Sequence, residues 1–258
     1  MPLKASLDIC RAGACSWALW PRQAGFRELP KAHFLSKEKA MKKVLVSIFT
    51  IAMVLSWNHP AAGQAGSSLN DQLIQAATNG DTATVQQLLD QGANIEAKAE
   101  NGGTALIWAA NEGKTDVVKL LLEKGANIDA KTNQGFTALM VASYKGQAEA
   151  VKLLLDKGAN LEAKGYNGWT ALIWAAMSDR TEVVKLLLEK GANTEARTNG
   201  NFTALMLAAN EGKTGVMKLL LEKGANIDAS NDGITVLSLA EKNDNPAAAE
   251  LLRAHGAH

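Results

Sequence analysis

Cysteine, histidine and charge of one sign are all scarce in this 258-residue chain, and each shortage removes a class of function. Cys10 and Cys15 are the only cysteines, so the chain beyond them has no disulfide, no thiol nucleophile and no cysteine metal ligand. After residue 66 the only histidines are His255 and His258, both at the C-terminal end. No Ser/His/Asp set can be argued from spacing, and no glycine-rich phosphate loop is present. The formal net charge is +1. Residues 1–63 hold nine Lys or Arg and three Asp or Glu, giving +6, and residues 64–258 hold 18 and 23, giving −5. The longer, mildly acidic part lacks the clustered cations that neutralise phosphates, which argues against nucleic acid as a partner.

What the chain has is a repeat. TALIWAANEGKTDVVKLLLEKGANIDAK, Thr104 to Lys131, returns with substitutions from Thr137, Thr170 and Thr203. The closing Gly-Ala-Asn or its equivalent begins at Gly92, Gly125, Gly158, Gly191 and Gly224, a constant step of 33 residues. Such a period marks a stack of one small supersecondary unit.

Each unit opens on a turn dipeptide: Asn101-Gly102, Gln134-Gly135, Asn167-Gly168, Asn199-Gly200 or Asp232-Gly233. These are expected to supply the positive φ angles of a tight hairpin. Thr104, Thr137, Thr170, Thr203 or Thr235 follows, placed to cap a short helix through its hydroxyl. That helix should stop at Gly113, Gly146 or Gly212, with Asp179 taking the left-handed place in the fourth unit. A second helix opens at Thr115-Asp116 or Thr181-Glu182, with an acid in its positive first turn. Val117, Leu120 and Leu121 have the spacing of a buried face, and Lys124-Gly125 ends the helix. Val118 and Leu122 widen the apolar surface beyond what one helix pair can bury, so neighbours must cover both sides.

Hairpin, Thr-x-Leu, helix, Gly, Val-Val-x-Leu-Leu-Leu and Gly-Ala-Asn at this period resemble the ankyrin repeat, over about 190 residues from Ser67 to His258. The resemblance implies an all-α repeat solenoid: an array of helix-turn-helix units with β-hairpin fingers, six repeats at about 67–98, 99–131, 132–164, 165–197, 198–230 and 231–258. Two departures stand out. The family's Thr-Pro-Leu-His is here Thr-Ala-Leu-Ile or Thr-Ala-Leu-Met. Ile107, Met140, Ile173 and Met206 replace the family's turn-tying histidine and are expected to form an apolar ladder between units. The ends should be caps: Asp71 stands at the position of Thr104, and Ser238, Glu241 and Arg253 put polar groups where inner units are apolar. Asn245-Pro246 is expected to cap and start the last helix.

The resemblance also implies that hairpin tips and the exposed side of the first helices, the concave face, hold a protein partner. Carried onto this chain, the partner-binding residues are Asn111 and Glu112, then Phe136, Tyr144 and Lys145, then Tyr166, Trp169 and Met177, then Phe202, Asn210 and Glu211. Aromatic residues fill the middle and Asn/Glu the rim, the anatomy of an interface hot spot. The competing expectation is that Phe136, Trp169 and Phe202 pack on neighbouring hairpins; Trp108 and Trp174, inside the first helices, are expected to be structural. A carboxylate row at Glu96, Asp129, Glu162, Glu195 and Asp228 invites a metal or acid-base role. Lys98, Lys131, Lys164 and Arg197 lie two residues further on and are expected to screen it, so no metal and no cofactor is assigned.

The N-terminal part reads as delivery. Met41-Lys42-Lys43 precedes a mostly apolar run of 14 residues, Val44 to Trp57, which suits a signal peptide and falls short of the roughly 20 residues of a membrane span. Small residues follow, and cleavage is expected after Ala65, or else after Gly63; a retained signal-anchor is the alternative. No cysteine follows the run to take a lipid. Residues 1–40 fit no part of this pattern and are expected to be a non-native or disordered extension upstream of a true start at Met41. The expectations are therefore an extension at 1–40, a signal peptide at 41–65 and the array at 66–258. The function expected is that of an exported, monomeric, non-enzymatic scaffold in the periplasm. A secreted effector acting on a host protein is the alternative, and an enzyme is a third.

Overall fold

The computed structural model describes residues 68–257, so the expectations for 1–40 and 41–65 lie outside the described residues. Twelve α-helices lie among the described residues, taken two at a time: α1 (Leu69–Asn79) with α2 (Thr82–Asp90), α3 (Ala105–Asn111) with α4 (Thr115–Glu123), α5 (Ala138–Lys145) with α6 (Ala148–Asp156), α7 (Ala171–Met177) with α8 (Thr181–Glu189), α9 (Ala204–Asn210) with α10 (Thr214–Glu222), and α11 (Val236–Lys242) with α12 (Pro246–Ala254). First helices pack on one another in sequence, second helices do the same, and the two members of each pair join the rows. This is an all-α repeat solenoid, held by contacts between neighbours.

The two rows differ because their sequences do. Helix α3, Ala-Leu-Ile-Trp-Ala-Ala-Asn, has every residue buried. A helix apolar on all sides is stable only when covered on all sides, and α1, α5 and α4 provide that cover. Helix α4 is amphipathic: Val117, Val118 and Leu121 are buried, while Asp116, Lys119 and Glu123 are exposed. The buried stripe takes in Val118, and the expected Leu120 is only half-buried. The ladder of Ile107, Met140, Ile173 and Met206 is buried throughout. Each such side chain contributes about 1.5–3 kcal/mol relative to an exposed one.

Thr104, Thr137, Thr170, Thr203 and Thr235 cap the first helices as expected, accepting from the backbone N–H three residues on at 3.2–3.5 Å. The first pair departs from expectation. Ser68, rather than Asp71, is the cap: its hydroxyl accepts from Asp71 N while Asp71 Oδ2 accepts from Ser68 N, a capping box that starts the helix earlier. At the other end Pro246 occupies the first turn of α12, but the Asn245 side chain does not cap it. Its Nδ2 donates instead to Ala209 O and Asn210 O of the preceding pair. Gln147 Nε2 reaches Asn111 O and Arg180 Nε reaches Tyr144 O from the same place. One residue before each of these second helices therefore satisfies a carbonyl at the end of the first helix behind it. Arg253 and Glu241 form an ion pair at the C-terminal end.

The hairpins are of two kinds. Among the described residues only β1 (Ser230–Asn231) and β2 (Ile234–Thr235) make a ladder, around Asp232-Gly233 with both φ angles positive. The other four are each closed by two backbone bonds, one from Ala99, Thr132, Gly165 or Thr198 N to the carbonyl four residues on and one back to that residue's own carbonyl from Gly102, Gly135, Gly168 or Asn201 N, so they are three-residue hairpin turns with no ladder beyond them. Their left-handed places are Gly102, Gly135, Gly168 and Asn201, with Asn167 left-handed as well in the third of them. Asn199-Gly200 thus lies one residue too early to supply the positive φ that its dipeptide suggested, and Asn201 takes it.

The charged rows are also not what mutual screening predicts. Glu96, Asp129, Glu162 and Glu195 each accept from the backbone N–H of the next Gly-Ala-Asn, at Asn127, Asn160, Asn193 and Asn226, over 2.7–3.0 Å. Lys98, Lys131 and Lys164 donate to the carbonyls of Lys131, Lys164 and Arg197, at 3.3–3.4 Å, and Arg197 to Ser230 O. The acids and the cations engage backbone rather than one another, forming two tapes along the stack. A backbone donor or acceptor near the surface is better satisfied by a side chain of opposite charge than by water alone.

Candidate functional site

The expected site residues fall at two levels on each pair: at the hairpin, just before the capping Thr, and at the end of the first helix. The structure gathers four aromatic rings there. Trp174, on the second turn of α7, is the centre. Trp169 lies over it with ring centroids 4.3 Å apart and planes tilted by 38°. Phe136 and Tyr144, from the pair before, meet it edge-on, each at 5.6 Å. Edge and offset contacts of this kind add about 0.5–1.5 kcal/mol each beyond burial. The Trp174 indole N–H is buried with no acceptor among the described residues, and the ring is held by its aromatic neighbours.

The expected residues divide by depth. Phe136 is 2% exposed and Asn111 1%, so neither side chain is open on the face. For Phe136 the cause is Trp174 of the next pair, which covers it from a first helix rather than from the neighbouring hairpin. Asn111 turns inward from the end of α3, and only its Nδ2 reaches out, to Glu112 Oε1 at 2.6 Å. Tyr144, Lys145, Trp169, Met177, Phe202 and Asn210 are half-buried, and Glu112 and Glu211 are exposed. Tyr166 is 46% exposed, one of two large apolar side chains exposed among the described residues, the other being Leu69. It stands at the tip of its turn, just before two left-handed residues, Asn167 and Gly168.

The face is not electrostatically uniform. Asn111 and Asn210 hold Glu112 and Glu211 in the same way, at 2.6 and 2.8 Å, on either side of the aromatic group. Between them stand Lys145 and Arg180, the latter bonded through Nε to Tyr144 O at 3.0 Å. Burial raises the Tyr144 phenol above its ordinary pKa, and the Arg180 cation works in the opposite direction. The phenol is therefore a neutral donor at physiological pH. No His, Cys, Asp and Glu side chains converge in a group of three that could hold a metal ion, among the described residues.

Sequence reasoning missed Trp174 as the centre and Arg180 as a support. The signal for the first lay in the row Trp108, Val141, Trp174, Leu207, whose members disagree as much as the chosen rows do. For Arg180 the row Lys114, Gln147, Arg180, Lys213 reads as solvated polar residues, and only the fold shows its reach across pairs.

A two-row helical solenoid with capped, turn-linked pairs is a scaffold of the interaction type, with its variable side chains gathered along one edge. The model for ankyrin repeats (3 copies) matches residues 73–165 and 193–258, and that for the single ankyrin repeat matches residues 167–199. The chain belongs to the ankyrin-repeat family. Repeats of this family serve generally as protein–protein interaction modules, which makes protein the class of partner. No curated protein matches the chain.

Proposed function

We propose that the chain is an exported, non-enzymatic scaffold that holds a partner protein on the face built by its hairpin tips and first-helix ends. The observation that carries this is Tyr166, exposed in the same turn as Trp169, which stacks on the buried Trp174. An exposed ring next to a rigidly supported one is what an anchoring contact needs, since little freedom is left to lose on binding. Glu112, Lys145 and Glu211 form the polar rim, while Phe136 and Asn111 support from beneath. The signal peptide beginning at Met41 and cut after Ala65 delivers residues 66–258 as the working array, a monomer, to the periplasm. No cofactor and no catalytic residue takes part.

Site-specific photo-crosslinking tests the face. A crosslinker in place of Tyr166 should capture a defined protein in the compartment where the chain resides. The same group in place of Lys152, exposed on a second helix, should not. Equal capture from both positions would refute the assignment. N-terminal sequencing of the exported protein tests the delivery: it should begin at Gly66.

A further inference from the structure

Four Asn–Gly dipeptides occur in the chain: Asn79–Gly80, Asn101–Gly102, Asn167–Gly168 and Asn199–Gly200. Such a pair is labile wherever the glycine nitrogen can reach the asparagine Cγ, because the following residue has no Cβ to hinder the approach. The backbone decides which of the four can react. Gly80 N donates to Ala76 O and Ala77 O, Gly102 N to Ala99 O at 2.8 Å, and Gly168 N to Gly165 O at 3.0 Å. Gly102 and Gly168 are buried. Asn101 Oδ1 is further held by Gly103 N, and Asn79 Oδ1 by Gln75 Nε2.

The fourth pair is placed differently. In the turn closed by Asn201 N on Thr198 O, the left-handed residue is Asn201. Asn199 and Gly200 therefore fill the two middle places, one position earlier than the other hairpin pairs. Both are exposed, and Gly200 N makes no hydrogen bond among the described residues. The same shift of register that moved the positive φ onto Asn201 leaves this one glycine amide open.

We propose that Asn199 is the protein's site of spontaneous deamidation, with water as the only co-reactant. Gly200 N gives up its proton to solvent base and attacks Asn199 Cγ. The new C–N bond closes a succinimide as the Cγ–Nδ2 bond breaks, and nitrogen leaves as ammonia. Water then opens the ring at either carbonyl, leaving aspartate or isoaspartate at position 199. Nothing is oxidised or reduced; amide and water become acid and ammonia. The product matters to the fold locally, because Asn199 N donates to Asn167 O at 2.8 Å across the two hairpin tips. Isoaspartate inserts a methylene into that backbone, and either product sets a new negative charge in the turn that leads to Phe202. The proposal does not depend on which partner the face binds.

The test is peptide mapping by mass spectrometry of the folded full chain, aged in mildly alkaline buffer, with a parallel sample in concentrated urea. In the folded protein Asn199 should convert at least about tenfold faster than Asn79, Asn101 or Asn167, the margin expected when the competing glycine amides must first break a backbone hydrogen bond. In urea the four sites should converge. Gly200→Ala is a tolerated second variant, since its Cβ would make an ordinary contact with Phe202 at 3.4 Å, and it should suppress the reaction at 199 at least about tenfold without changing the helix content. Equal conversion at Asn101 or Asn167 in the folded chain overturns the proposal. So does a preference for Asn199 that survives in urea, which would make it a property of sequence rather than of the turn.

Discussion

The Gly-Ala-Asn edge and the hairpin-tip edge are built on the same helix pairs, yet they join neighbours by different means. Along the first edge every copy does the same thing: an acid accepts from the next loop's Asn N–H, from Glu96 through Glu195. Along the second the copies diverge, with Gly103, Phe136, Trp169 and Phe202 at one position and Asn111, Tyr144, Met177 and Asn210 at another. The contacts follow suit: Asn133 N donates to Asn101 O and Asn199 N to Asn167 O, while the middle of the edge packs four aromatic rings. Uniform backbone ties stack units without telling one unit from the next. Side chains that differ from unit to unit can present a particular surface, and they do so where the ties are irregular.

The largest effect expected on this comparison comes from the point where both demands meet. Trp174→Ala removes the ring on which Phe136, Tyr144 and Trp169 rest, and should cost about 3–5 kcal/mol in chemical denaturation. An unchanged midpoint would mean that the aromatic group is not part of the stack's support. Next, Asp129→Ala deletes one rung of the uniform edge by leaving Asn160 N without its acceptor. About 1 kcal/mol of stability should be lost, and Glu162→Ala should lose about the same because the rungs are alike. Unequal losses would show that the edge is less uniform than its geometry. The smallest effect belongs to the Lys190–Asp156 pair, 2.7 Å apart and exposed. The hydrogen bond from Lys190 holds the Asp156 carboxyl below its ordinary value of 3.8. A depressed carboxylate contributes stability above its unfolded pKa and loses it as pH falls through the folded one. Asp156→Asn should therefore be slightly less stable than the parent at neutral pH, and the gap should close in acid and in high salt. A gap that widens in acid would contradict the pairing.

How much of this was legible beforehand follows from the same division. The 33-residue step, the capping threonines, the buried Ile107–Met206 ladder and the left-handed Asp179 could all be read from residues because they depend on local geometry repeated in register. The partners of the charged rows could not. Whether Glu96 meets Lys98 or Asn127 N depends on how far one loop sits from the next, and only stacking fixes that. The hairpins show a subtler limit. Asn199-Gly200 looks like Asn101-Gly102, but it lies one place earlier in a turn of the same length, and the left-handed conformation falls on Asn201. In the site, exposure was the hidden variable. Phe136 and Tyr166 look alike as aromatic residues near a capping Thr, but Phe136 lies under Trp174 and Tyr166 stands at a tip formed by the left-handed Asn167 and Gly168, where it is exposed.

The central claim is that the uniform edge stacks the array and the divergent edge binds. Measuring stability and partner affinity together for Tyr166→Ala and Asp129→Ala tests it most directly. The account predicts that Tyr166→Ala keeps its denaturation midpoint within about 0.5 kcal/mol, as an exposed substitution should, and loses affinity for the crosslinked partner. Asp129→Ala should lose about 1 kcal/mol of stability and keep its affinity. Undiminished binding by Tyr166→Ala, or an equal loss of affinity from both variants, would contradict it.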